Sequence, residues 1–258
     1  MTNYAQESKL SFKTKLDPRG KCILEDVFFT PPLKLMPPFY EEEDRANLML
    51  ISVSAGLMEG DNQEIDLEIG KDCNLKLSSQ SFEKIHDTKD GFASRNTRIH
   101  VHSNATFDFA PLPIIPFKNS CFKGDTTITL EPSSRLFYSE IICAGRVGRD
   151  EIFEFRSFST GLKIFLQEKL VFFDNTILDP QKTELRNKCL FDKYTHYLNL
   201  VIFDPSVCIQ NIREILQRTH LNAGVSELAY NGGICLKALS DTSEDLLLLR
   251  DSVCNLRK

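Results

Sequence analysis

The clearest pattern in the chain is an alternation of apolar and polar positions that recurs three times. Residues 67–77 (LEIGKDCNLKL), 99–109 (IHVHSNATFDF) and 128–138 (ITLEPSSRLFY) align without a gap. In each copy apolar residues at alternate positions run into a short polar turn and then resume. Alternation with period two puts one side of a strand on a core and the other side outside. The turns, built from Gly70-Lys71-Asp72, Ser103-Asn104 and Glu131-Pro132-Ser133, use residues that tolerate tight or left-handed backbone. The copies are offset by 32 and then 29 residues, close to a fixed period. Such a period predicts stacked layers that bury their apolar faces on one another. A β-sandwich, whose strands also recur regularly, is the alternative.

The same alternation predicts strands over residues 10–16 and 22–29, joined by the turn signal Asp17-Pro18-Arg19-Gly20. Further strands are expected over 48–53, 63–69, 151–158, 162–166, 169–173 and 196–203, with a polar connection over 174–192. Two proline pairs make residues 30–39 an extended surface segment, either a strip that contacts a partner (Pro31, Pro32, Leu35, Pro37, Phe39) or an edge packed on a sheet. The pattern changes after residue 203. Asp204-Pro205 reads as a helix start, Val207, Ile209, Ile212, Ile215 and Leu216 follow at helical spacing, and Asn222-Ala223-Gly224 reads as its end. A hairpin about Asn231-Gly232-Gly233 and a last helix capped by Thr242, with Asp245 three residues on, complete the chain. The expected fold is mainly β: a stacked, helix-like β-sheet body over residues 1–203 and a small α+β lobe with two helices over 204–258. The lobe is expected to pack on the body as one continuous unit.

Composition narrows the function. The chain has 258 residues, is 41% hydrophobic and 26% charged, and carries a net charge of −5. That balance, without a Lys/Arg cluster, argues against nucleic acid as a partner. No apolar stretch is long enough to span a bilayer, and no signal peptide is seen, so a cytoplasmic protein without membrane contact is expected. The eight cysteines are scattered singly and read as reduced thiols. The 19 phenylalanines and absent tryptophan point to a Phe-rich β core.

Candidate chemistry is sparse. The turn at Gly60-Asp61 presents a carboxylate that either braces its own loop or receives a cation. Ser78-Ser79-Gln80-Ser81 is a polar run at the end of an apolar strand. The acidic run at residues 41–44 reads as a solvated loop, with cation attraction as the alternative. His100 and His102 share one face of a strand, which is metal-ligand geometry, but no third ligand is near in sequence, and a solvated face is the competing reading. The prolines of residues 107–117 form a rigid crossing, either core or an apolar patch for another protein. Glu140 lies in an apolar strand and needs a partner or an altered pKa; a bridge to an arginine such as Arg146 is the plain reading. No nucleophile elbow, P-loop or dinucleotide turn is found.

Taken in order, GLMEGD (56–61), SSQSFEKIH (78–86), FDFAPLPIIPF (107–117), YSEIICAGR (138–146) and ICLKALSDTSEDLLLLR (234–250) resemble the UreD/UreH family of urease accessory proteins over nearly the whole length. The family commonly has Gly-Gly-Asp where this chain has Glu59-Gly60-Asp61, and often Trp-Glu where it has Ser139-Glu140. YAQESKL (4–10) and FFTPPLKLMPPFY (28–40) are most similar to the UreH branch. The resemblance implies a non-catalytic scaffold and metallochaperone that links apo-urease to UreF and the GTPase UreG, in an accessory complex that can dimerise. It implies no tightly bound cofactor, with nickel in transit through an internal route. Asp61 and Glu140 then become nickel-route or urease-facing carboxylates, while Gly60, Gln80, Lys84, Gly145 and Arg146 are motif residues to which it assigns no role. Apart from the resemblance, an enzyme acting on carbohydrate through acidic residues such as Asp61 and Glu140, or a scaffold that touches no metal, fits the same residues.

Overall fold

The computed structural model describes residues 7–40, 45–229 and 232–257. The acidic run at 41–44 and Asn231 lie outside the described residues. An N-terminal hairpin, β1 (Glu7–Leu16) and β2 (Cys22–Phe29), leads into the short strands β3 (Leu33–Leu35) and β4 (Phe39–Tyr40). Next come β5 (Arg45–Ser52), β6 (Asn62–Ile69), β7 (Asn74–Ser79), β8 (Glu83–Ile85), β9 (Ala93–Val101) and β10 (Thr106–Ala110). The body closes with β11 (Ile114–Pro116), β12 (Cys121–Leu130), β13 (Arg135–Cys143), β14 (Ser157–Leu166), β15 (Lys169–Leu178) and β16 (His196–Phe203). After them stand α1 (Ile209–Gln217), β17 (Asn222–Glu227), β18 (Ile234–Ser240) and α2 (Ser243–Cys254).

The chain winds back and forth between two sheets. The first has the order β15-β14-β12-β9-β6-β1-β2, and the second includes β17-β18-β16-β13-β10-β7-β5-β3. Each layer gives one strand to each sheet, so successive layers pair in parallel: β6 with β9 and β9 with β12 in the first sheet, β7 with β10 and β10 with β13 in the second. The pairing register is the alignment visible in the sequence. Leu67 pairs with Ile99 and Ile99 with Ile128, while Leu75 pairs with Phe107 and Phe107 with Leu136. The intervening turns are equivalent. Cys73, Ala105 and Ser134 donate their amides to Gly70, His102 and Glu131, and Asp72, Asn104 and Ser133 all take positive φ near 60°. Asp and Asn accept that conformation at low cost, and Asn104 Nδ2 donates to Asp72 Oδ1 at 3.0 Å, tying one layer's turn to the next. The stacked architecture is therefore the observed one.

Two apolar clusters fill the space between the sheets, one around Leu67, Ile99, Phe107, Ile128 and Leu136, the other around Ala93, Phe122, Phe158 and Ile142. A third covers the outer face of the second sheet. There Phe137, Ile141, Leu198 and Leu200 receive Ile209 and Ile212 of α1 and Leu246, Leu249 and Val253 of α2. Strand β13 is thus covered on both sides: Leu136 and Tyr138 face the first sheet, Phe137 and Ile141 the helices. Strands β18 and β17 extend the second sheet from β16, so no sheet boundary falls at residue 204.

Several local expectations need correction. Asp204 starts no helix: its carboxylate accepts from the amide and hydroxyl of Ser206 at 2.9 and 2.7 Å, which makes a turn, and α1 begins beyond Cys208. Asn222-Ala223-Gly224 does not end that helix but belongs to β17, because pairing with β18 outweighs the turn preference of those residues. Residues 151–156 form no strand; Asp150 and Phe153 adopt positive φ, which a ladder does not accommodate. Strand β15 runs to Leu178, five residues past the expected end, because its paired neighbour β14 reaches Phe158. Leu35 is no surface contact: it is 6% exposed and packs in the main core, although Pro31, Pro37 and Phe39 beside it are exposed. Residues 107–117 are core more than surface, with Phe107, Pro113, Ile114 and Pro116 buried. The Thr242 cap holds, accepting from the amide of Asp245 at 3.3 Å.

Candidate functional site

Along the inside of the first sheet, each strand changes character at the same level. The rungs Ile69–Val101–Leu130 and Leu67–Ile99–Ile128–Ile164 are apolar. One turn of alternation further stands Ile65–Thr97–Thr126–Leu162, and then Gln63–Arg95–Gly124–Thr160. The next rung, Ala93–Phe122–Phe158, is apolar again. A polar layer is thereby enclosed between two apolar ones, and a cavity opens there between the sheets, lined by Arg95, Thr126, Glu140, Thr160 and Glu83 among others. Gly124 contributes to that space: a Cβ there would stand 3.0 Å from the Phe122 ring and 3.2 Å from the Thr160 methyl.

Glu140 enters this cavity from β13, two positions beyond Tyr138 on the inward face. Its carboxylate accepts from Thr160 Oγ1 at 3.2 Å. The surface it retains faces the cavity, and loss of solvent pushes its pKa up to about 7, against smaller lowering effects from Thr160 and Arg95 and a raising effect from Asp174. Arg95 is engaged elsewhere, donating to Gln63 Oε1 at 2.7 Å and to Glu83 at 2.5 Å. Arg146 is no partner of Glu140 either. It makes a two-point pair with Glu151 and stacks 4.4 Å from the Phe117 ring centroid. Glu140 is consequently a carboxylate poised between its neutral and charged forms near neutral pH, inside a lined space.

Asp61 occupies a different place. Its Oδ2 accepts from the Met58 amide at 2.8 Å, so it braces its own turn. It lines a surface depression with Phe29, Pro31, Pro32 and Leu33, and Leu33 also lines the internal cavity. Asp61 and Glu140 therefore line different spaces.

The remaining motif residues are placed as follows. Gly56 has φ +142°, and a Cβ there would meet the Lys84 carbonyl at 2.3 Å. That close approach lets Leu57 exchange backbone hydrogen bonds with Lys84 and His86, so GLMEGD and SSQSFEKIH are two sides of one contact. Lys84 serves through its carbonyl, which accepts from Leu57 at 2.8 Å, and its side chain is exposed. Gly60, at φ +80°, closes the Asp61 turn. Gln80 is exposed, whereas Ser78, Ser79 and Ser81 line the cavity. Gly145, at φ +136°, admits the Glu151 carbonyl. His100 and His102 stack on the outer face of the first sheet beside Glu131.

One residue with structural weight gave little sequence signal. Asp108, 1% exposed between two phenylalanines, pairs with Arg45 and with Arg257. It joins β5 to the segment after α2. The signal was its alternation: an acid at an outward position of a strand whose outer face is covered.

The family model described as UreD urease accessory protein matches residues 6–257. The urease accessory protein UreH of Helicobacter acinonychis is 52% identical over 99% of this chain and 97% of its own length. UreH of Helicobacter pylori (strain G27) is equally identical over the same shares. The urease accessory protein UreD of Acetivibrio thermocellus is 40% identical over 78% of this chain and 76% of its own length.

Proposed function

Because the chain belongs to the UreD family of urease accessory proteins, we propose that it is a non-catalytic component of urease maturation. In this reading it bridges apo-urease to UreF and the GTPase UreG, and nickel destined for urease passes through the space between its two sheets. The match across residues 6–257 carries the reading. Three features of the fold support the nickel route. The cavity has a polar lining that includes Arg95, Thr126 and Thr160, Glu140 is a desolvated carboxylate within it, and Leu33 lines both the cavity and the depression that holds Asp61. A single oxygen ligand near its pKa holds a divalent ion weakly, and weak holding suits transfer, since hard carboxylate ligands alone bind nickel less firmly than imidazole or thiolate. Phe29, Pro31 and Pro32 beside Asp61 offer an apolar rim for a partner protein.

The test is urease activity in cells carrying the urease structural genes and the other accessory genes, with nickel supplied. Activity is expected only when this chain is present; equal activity without it refutes the maturation role. Glu140→Gln is then expected to lower activation while leaving pull-down of the accessory complex intact. Loss of both together would favour a scaffold that never touches the metal.

A further inference from the structure

We infer that His100, His102 and Glu131 form a surface site for a divalent transition-metal ion, on the outer face of the first sheet and distinct from the internal cavity. Their ligand atoms all lie within 4.8 Å of one another. His100, in β9, and His102, just beyond its end, lie on one face with rings stacked at 4.2 Å. Glu131 arrives from the next layer, at the turn following β12. Its Oε1 stands 2.9 Å from His102 Nδ1 and 3.2 Å from His100 Nε2. Ligands about 2.0–2.2 Å from a tetrahedral ion are themselves roughly 3.3 Å apart, so both spacings need little adjustment.

The surroundings support metal binding at each ligand. Glu131 Oε2 is held by the Ser103 amide at 2.9 Å and hydroxyl at 2.7 Å, which fixes the carboxylate and leaves Oε1 turned to the histidines. His102 Nε2 stands 2.9 Å from Glu68 Oε1, and Lys13 Nζ holds that same oxygen at 2.9 Å. With Nε2–H donating to Glu68, the lone pair of His102 falls on Nδ1 and faces Glu131. A carboxylate behind a ligating imidazole is the arrangement that orients such rings at metal centres. Two lone pairs 2.9 Å apart also need a cation between them, either a proton or a metal ion. Three protein ligands at a partly exposed site leave the fourth position to water, so the ion is exchangeable. Imidazole donors select Zn²⁺, Ni²⁺ or Cu²⁺ over Mg²⁺ and Ca²⁺.

The experiment uses the untagged full chain and follows its five histidines by imidazole NMR while Zn²⁺ alone is added. His100 and His102 are expected to shift together up to one equivalent, ahead of His86, His196 and His220, and excess Mg²⁺ is expected to move none of them. His100→Asn, at a residue 43% exposed on its side chain, is expected to weaken Zn²⁺ and Ni²⁺ binding about tenfold or more. If another histidine responds first, or none responds at millimolar Zn²⁺, the proposal fails, and a proton is what joins His102 to Glu131. Unchanged binding in a folded His100→Asn protein overturns it equally, whereas a variant that does not fold leaves the wild-type titration to decide. No readout here involves urease, so this site and the maturation role stand or fall separately.

Discussion

The interior holds two regions built on the same strands in the same register, yet they are opposite in kind. At the level of Leu67, Ile99, Ile128 and Ile164 the sheets are filled with aliphatic side chains. At the level of Gln63, Arg95, Gly124 and Thr160 they part around a cavity containing Glu140. The backbone is indifferent to the change, because parallel pairing uses main-chain groups alone. A stacked fold of this kind secures its stability at one level and keeps another level open.

The packed level is expected to be the less forgiving. Phe107→Ala removes a side chain with no exposure from its centre and is expected to cost about 4 kcal/mol, read from the denaturant midpoint. Asp108→Ala leaves Arg45 and Arg257 without their shared carboxylate and is expected to cost about 3 kcal/mol, with the C-terminal helix fraying first in hydrogen exchange. Retention of wild-type stability in either variant would show that the packed core and the tie to the C-terminus matter less than their burial implies.

The polar level is expected to respond in the other direction. Glu140 has a folded pKa of about 7 against an ordinary value of 4.5, so the folded state binds more protons between those values. Stability is therefore lost as pH rises from 4.5 through about 7, and below 4.5 the group contributes nothing either way. Glu140→Gln removes this loss. The variant is expected to be more stable than wild type by on the order of 2 kcal/mol at pH 8, and close to it at pH 4. Equal pH profiles for the two proteins would mean that Glu140 is well solvated. Thr160→Val takes away a hydrogen bond to the charged form and is expected to move the Glu140 titration upward, as followed by carboxyl NMR. Asp61→Ala removes the brace of a surface turn and is expected to cost about 1 kcal/mol.

Much of the architecture was legible because it is local and periodic. The gapless alignment of residues 67–77, 99–109 and 128–138 is the pairing register itself, since stacked layers must place like residues over like. Thr242 was readable as a cap because its partner, Asp245, is three residues away. Some missed calls reflect competition from distant chain, others local turns such as that of Asp204 with Ser206. Pairing with β18 claimed residues 222–227, and core packing claimed Leu35.

The sequence by itself determined the family, the stacked β body, the turn chemistry and the identity of Glu140 as a carboxylate in an apolar strand. Only the tertiary structure decided what that carboxylate meets, that Arg146 belongs to Glu151, that Asp108 closes the chain on itself, and that Glu131 completes the pair of histidines. Periodicity fixes which side of a strand is inside, and that is a property of neighbouring residues. Glu140 and Thr160, 20 positions apart, and His102 and Glu131, 29 apart, meet only through the register of the stack, so a pKa or a ligand set built across layers is written in no single stretch of the chain; Arg146 and Glu151 are near in sequence, but which acid the arginine takes is set by how their loop folds.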